Sequence, residues 1–280
     1  MVKGVLRTEA GTILDGPAYE PTTNNQQPRN KQAKMKNLML HCGAHSVKRA
    51  DVENVPTPES TRTWTPIPHA TLIELVEDTL KADKLKIVNQ EHGLTGEGRR
   101  YFGLMQIANG RNSEDYAWVL GLRNSHDKEF PAGLVVGAGV FVCDNLSFSG
   151  EIQMKRKHTA YISRDLPGLV QTAIGRLNER WNDQDRRIAA YKECELNDME
   201  AHDLIVRAID ARAATPTQVP RLLNEWRQPL HEDFCPRTAW SLFNSFTTVM
   251  KGLSLNELSI RTQRLHGLFD TQSGLTIGNN

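Results

Sequence analysis

The chain has 280 residues, of which 39% are hydrophobic and 24% charged, and its formal net charge is +1. That length can bury a sizeable core, while the near-neutral balance excludes a uniformly basic protein, so any contact with phosphate has to come from a local patch or groove. The longest apolar run, Ala132 to Cys143, is too short and glycine-rich to span a bilayer, and the first residues lack the apolar core of a secretory signal. A cytoplasmic protein without a membrane partner is expected, with Cys42, Cys143, Cys194 and Cys235 reduced.

Residues 1–36 are rich in Asn, Gln, Thr, Gly and Pro and read as a flexible tail that ends in the basic run "RNKQAKMK". "HCGAH" (His41 to His45) has ligand-like spacing, but no second His or Cys pair follows it, and an ordinary histidine pair at a strand edge is the better reading. After an irregular, proline-rich stretch from Pro56 to Ala70, "HATLIELVEDTLKADKL" places Leu72, Ile73, Leu75, Val76 and Leu80 on one helical face.

The period then changes to two. Five segments, "KIVNQEHGLTG", "RRYFGLMQIAN", "DYAWVLGLRNS", "AGLVVGAGVFVC" and "LSFSGEIQMKRKH", follow one another with links too short for crossover helices, which predicts an antiparallel meander over about 85–160. In that frame "RNSHDKEFPAG" is a hairpin loop. Asn124, Ser125 and Asp127 supply its turn chemistry, and Arg123 and His126 point outward. Ser125, His126 and Asp127 stand side by side, but adjacent residues do not form a hydrogen-bonded relay.

The remaining chain is helical. "PGLVQTAIGRLNERWNDQDRRIAAY" predicts one long helix over about 166–193, with Asp165 as N-cap and Pro167 in its first turn. Asn197 with Glu200 and Ser254 with Glu257 have capping-box spacing, and Gly252 stops the helix before the last one. The fold class is therefore α+β: an antiparallel β-meander with a flanking N-terminal helix and a long helix packed on one face, followed by a C-terminal helical bundle. The organisation is a tail (1–36), an α+β core (37–195), a helical subdomain (196–270) and a second tail (271–280). The other sheet face is left for solvent, a ligand or a neighbouring subunit.

Motifs for nucleotide hydrolysis, zinc-dependent proteolysis and serine hydrolysis are missing, and no cofactor or metal is expected. A nuclease built from Glu97, Asp115, Asp127 and Glu151 is the third-ranked reading. The basic end of the last strand is more informative: Lys155, Arg156, Lys157 and His158, followed by Arg164 and joined by Arg99, Arg100, Arg123 and Lys128 from neighbouring hairpins, form a stripe able to track phosphates. An edge strand guarded by lysines against aggregation accounts for the same residues.

Leu120 to Thr159 resembles a phage/plasmid-like family of unknown function, domain-of-unknown-function family 932. The resemblance is carried by Asn124-Ser125-His126-Asp127, by Cys143-Asp144-Asn145-Leu146 and by Arg156-Lys157-His158-Thr159, with Lys128 where members often have glycine; it extends over about Trp64 to Asp270. The order of helix, meander and long helix is similar to that of phage single-strand annealing proteins, which assemble into rings or filaments with DNA along a basic groove. The resemblance implies a non-enzymatic, homo-oligomeric protein that binds nucleic acid, single-stranded DNA in the first instance, through Arg123, His126, Lys155, Arg156, Lys157, His158 and Arg164. The alternative is a factor that binds a protein, such as an inhibitor of host defence, through the same loop.

Overall fold

A computed structural model describes residues 44–108, 116–140 and 146–276, without the side chains of 140, 146–153, 255 and 256. The expected N-terminal tail with its basic run, as well as His41, Cys42, Asp115 and Cys143, lies outside the described residues.

Six strands form one antiparallel sheet in sequence order: β1 (His45–Val47), β2 (Lys86–Thr95), β3 (Arg100–Ala108), β4 (Tyr116–Ser125), β5 (Ala132–Val140) and β6 (Leu146–Arg156). The α+β meander is as the alternation implied, with β1 added at the edge. Its register fixes two faces. Tyr101, Asn124 and Leu122 lie on one, with Met105 opposite Leu120 and Ile107 opposite Trp118. Phe102, opposite Arg123, and Gly133, opposite both Arg123 and Lys155, lie on the other.

Short α1 (Arg49–Glu53) precedes α2 (His69–Ala82), which buries Leu72, Ile73, Val76 and Leu80 toward the first face. The expected long helix is instead two: α3 (Ile162–Gly175) and α4 (Leu177–Glu193), separated at Arg176. The first begins before Asp165, with Tyr161 at the N-cap position, so Asp165 sits inside the first turn and Pro167 inside the helix. Trp181 of α4 packs on Trp118, which keeps α4 on the first face as well.

The C-terminal helices are α5 (Asp198–Asp210), α6 (Val219–Arg227), α7 (Ala239–Val249) and α8 (Leu255–Gln272). Both capping pairs form: Asn197 and Glu200 exchange bonds of 2.8 and 3.0 Å, and the Glu257 backbone N–H donates to Ser254 Oγ at 3.3 Å. Helix α8 does not remain in a separate bundle. It packs along the edge strand β6, and the turn that leads into it places Gly252 and Ser254 beside Phe102, Arg123 and Lys155. Leu104, Gln106, Val119 and Val135 of the second face are buried, which corrects the expectation that this face was left for solvent, ligand or subunit. Periodicity identified α8 as a helix but carried no information on where it returned.

Gly121 on β4 and Gly133, Gly137 and Gly139 on β5 alternate across the second face with Leu104, Val119 and Val135, and α8 has the small residues Ser259 and Thr262 among its buried positions. Far from the sheet's hairpin end, Arg187 of α4 and Asp270 of α8 form a buried ion pair at 3.0 Å, and Tyr191 donates to the same carboxylate at 2.5 Å. Burial raises the Asp270 pKa more than these partners lower it.

Candidate nucleic-acid interface

Strand β4 runs to Ser125, so Arg123, Asn124 and Ser125 are strand residues and the loop proper is His126 to Pro131. Alternation then separates neighbours: Asn124 enters the first face and Arg123 the second.

On the first face Asn124 is the hub of a closed network. Its Nδ2 donates to the Ile67 carbonyl at 3.0 Å and to His69 Nδ1 at 2.9 Å, and its Oδ1 accepts from His158 Nε2 at 2.7 Å. His69 Nε2 donates to the Gly98 carbonyl at 3.0 Å, which fixes the neutral tautomer. His126 lies flat on His69, centroids 3.8 Å apart, and its Nε2 donates to the Ile67 carbonyl at 2.8 Å. Next to them Tyr101 Oη meets His92 Nδ1 at 3.0 Å; a Cβ at Gly103 would overlap that hydroxyl, which is why glycine follows Tyr101 and Phe102. Burial, with His126 as a second repulsive neighbour, pushes His69 and His158 down to about 4. His92 is pushed to about 4 by burial and then by Arg49, and His126 is lowered by burial.

Two expected roles are thereby corrected. His126 and His158 are 4% and 5% exposed, and neither reaches a ligand at the surface. Asn124 shapes no turn; it ties β4 to the segment before α2 and to the residue after β6. Asp127 does shape the loop. It accepts from the Glu129 N–H at 3.2 Å and from Arg100 Nε at 2.6 Å; burial pushes its pKa up, and these bonds more than reverse the shift, leaving it lowered. Lys128 adopts φ +68°, the left-handed conformation that suits the glycine of the family pattern, and its Nζ sits 4.9 Å from the centroid of the Trp64 ring.

On the second face, Phe102, Arg123, Gly133 and Lys155 form a row across four strands. Gly133 leaves room for Arg123 itself: a Cβ there would lie 3.1 Å from Arg123 Nε and 3.4 Å from its Cγ, so the side chain runs across the glycine. The row opens into a cleft of about 510 Å³, walled by Phe130, Glu129 and Arg100 on the loop side and by Gly252 and Ser254 on the α8 side. Arg123 also lies over Phe130, its Cζ 5.4 Å from the ring centroid, and burial lowers its pKa. Glu129, the acidic member, is held by Arg100 at 3.3 Å.

The expected stripe from Lys155 to His158 is split by the same alternation. Lys155 and Lys157 are exposed, Arg156 is half-buried and donates to Asp165 at 2.8 Å, and exposed Arg164 donates to that carboxylate at 2.9 Å. Hydrogen bonds from Arg164 and Arg156 hold the Asp165 pKa below its usual value. Of the seven expected phosphate contacts, the structure brings Arg123 and Lys155 together. Sequence reasoning missed Gly133, Phe102 and the α7–α8 turn; the period-two register was the one signal able to find the first two. Of the nuclease carboxylates, Glu97 in the β2–β3 turn pairs with Arg99 and Asp127 with Arg100, and among the described residues no group of three or more His, Cys, Asp or Glu side chains could hold a metal ion.

A family model described as a domain of unknown function (DUF932) matches residues 59–264. The chain belongs to this family. The matched span contains both the Asn124 network and the Arg123 cleft. No curated protein and no solved structure matches the chain. Among the described residues, no helix is long and apolar enough to cross a membrane.

Proposed function

We propose that this DUF932 protein binds single-stranded nucleic acid without cleaving it, and that the backbone enters the cleft between the hairpin end of the sheet and the start of α8. The observation that carries the reading is the row Phe102, Arg123, Gly133 and Lys155: exposed Lys155 and the buried Arg123, whose side chain lies across Gly133, border one cleft together with the rings of Phe102 and Phe130. Cations that meet phosphates and rings that stack bases are the two ingredients of sequence-tolerant strand binding. The N-terminal end of α8 adds a favourable partial charge for an anion. Exposed Lys157 and Arg164 follow at the same end of the sheet and extend the positive rim.

Fluorescence anisotropy of a labelled oligothymidylate across a salt series tests this. The wild-type protein is expected to bind with an affinity that falls steeply with salt through counterion release, and Arg123→Ala with Lys155→Ala is expected to weaken binding at least about tenfold. Equal binding by the double variant overturns the reading. The wider setting, strand annealing by an oligomer encoded on a mobile element, rests on the similarity in element order to phage annealing proteins. Mass measurement with and without oligonucleotide checks it; a species of monomer mass in both removes the oligomer.

A further inference from the structure

A second cleft, of about 500 Å³, lies between the end of α5 and the first half of α8, and neither the proposed function nor the sequence analysis assigns it a role. Arg212, Arg261 and Arg264 line it, with Thr215 and Ile260. Among the described residues none of the three arginines has a carboxylate within ion-pair distance. The acidic residue on the wall, Glu257, is turned to its own helix start, accepting from the Ser254 hydroxyl at 3.1 Å.

The backbone there carries a second sign. Arg212 follows the C-terminal end of α5 with φ +55°, a position at which glycine is the unstrained residue. Its carbonyl accepts from Arg264 Nη1 at 2.8 Å, which ties the α5 end to α8 and holds two guanidinium groups at one cleft. A cation at a helix C-terminus is favourable in itself. That accounts for Arg212 alone and not for the convergence of Arg261 and Arg264 from another helix.

The two clefts share one helix. Ser254 borders the first and Glu257 to Arg264 border the second, so the span from Ser254 to Arg264 is about 15 Å along the axis of α8. We infer that the α5–α8 cleft is a second phosphate-binding site, which grips the continuation of the same strand after it leaves the first cleft. This inference rests on the proposed function, because it requires a ligand with many phosphates on one flexible backbone. Guanidinium groups suit it, since each offers a planar pair of donors to phosphate oxygens.

The experiment compares labelled oligothymidylates of about 4 and about 16 nucleotides, a range that single-strand sites commonly occupy. With Arg212→Glu and Arg261→Glu together, affinity for the short oligonucleotide is expected to stay within about twofold of wild type. Affinity for the long one is expected to fall about tenfold or more, with a salt slope shallower by about 1 to 2. Arg264 is retained in this variant so that its bond to the Arg212 carbonyl survives. Arg212→Gly provides the folding control: at φ +55° its melting temperature is expected to be unchanged or higher, while long-oligonucleotide affinity still falls. If the double variant binds the long oligonucleotide like wild type, the second site is overturned and the first cleft stands. Equal loss for short and long lengths overturns the sequential arrangement. Should wild type bind neither length, the proposed function falls and this inference with it.

Discussion

Arg123 and Asn124 are adjacent in sequence and end in opposite surroundings. Asn124 lies in a network where each of its hydrogen-bonding atoms meets a buried partner, whereas Arg123 lines an open cleft with a second cation across a glycine. The difference teaches how to separate structural polar residues from binding ones. A buried polar group whose partners are all internal holds elements together and specifies their arrangement. Arg123 is itself buried, at 6% exposure, yet it borders a cavity that Lys155 and Glu129 also line, where a ligand can approach it.

The largest expected effect that tests this contrast is on the histidine side. His69, His92 and His158 sit near 4 in the fold and near 6.5 when unfolded, so between those values the unfolded chain binds more protons. Stability is therefore complete above about pH 6.5 and is lost as the pH falls toward 4. Between pH 7 and pH 5 each histidine removes about 2 kcal/mol, and the three together on the order of 5 kcal/mol. Urea unfolding across this range measures it. A flat profile would mean that these rings are protonated within the fold, and the closed network would have to be redrawn.

Next comes Asn124→Ala. It leaves His158 Nε2 without its acceptor and His69 Nδ1 without its donor, among buried residues, and is expected to cost about 3 kcal/mol. Oligonucleotide affinity, measured well below the melting temperature, should remain within about twofold of wild type. A loss of affinity at preserved stability would show that the two faces are functionally joined.

The sequence made the meander, the α2 face and both capping pairs legible because period-two and period-3.6 patterns and side-chain caps are local. It was less informative about the loop. The turn signal of Asn, Ser and Asp is real at Asp127 and at Ser125, whose hydroxyl donates to the Phe130 carbonyl at 2.7 Å and accepts from its N–H at 3.2 Å, but Asn124 is absorbed by strand β4, since pairing with β3 continues as far as Arg100 opposite Ser125. The partners of Asn124 come from Ile67, His69 and His158, more than thirty residues away in either direction, and no local pattern announces them. The cleft was half visible: Arg123 and Lys155 were expected to meet a ligand, while the glycine between them and the covering helix depend on tertiary return.

Gly133→Ala sharpens the cleft side of the comparison. It keeps every charge but forces Arg123 Nε away from a Cβ at 3.1 Å. Overpacking of this size is expected to cost about 1 kcal/mol and to lower oligonucleotide affinity several-fold. Normal affinity in this variant, measured by anisotropy, would show that the position of the guanidinium does not matter. The smallest effect is expected for Lys128→Gly, which relieves the left-handed φ and loses the contact with Trp64; the two cancel to within about 0.5 kcal/mol in thermal unfolding. A larger loss would assign the Lys128–Trp64 contact a greater share in holding the loop than its exposed geometry implies.

The late arrival of α8 also bears on how the protein is made. The sheet is complete once Arg156 has been synthesised, but α8, which packs along β6, begins at Leu255, about 100 residues later. At ribosomal rates of about 5–20 residues per second, that edge waits on the order of 5–20 s for its cover. Gly121, Gly133, Gly137 and Gly139 thin the apolar surface of the neighbouring face, but Leu104, Val119 and Val135 stand among them, so the nascent chain keeps a patch through which it can aggregate during the wait.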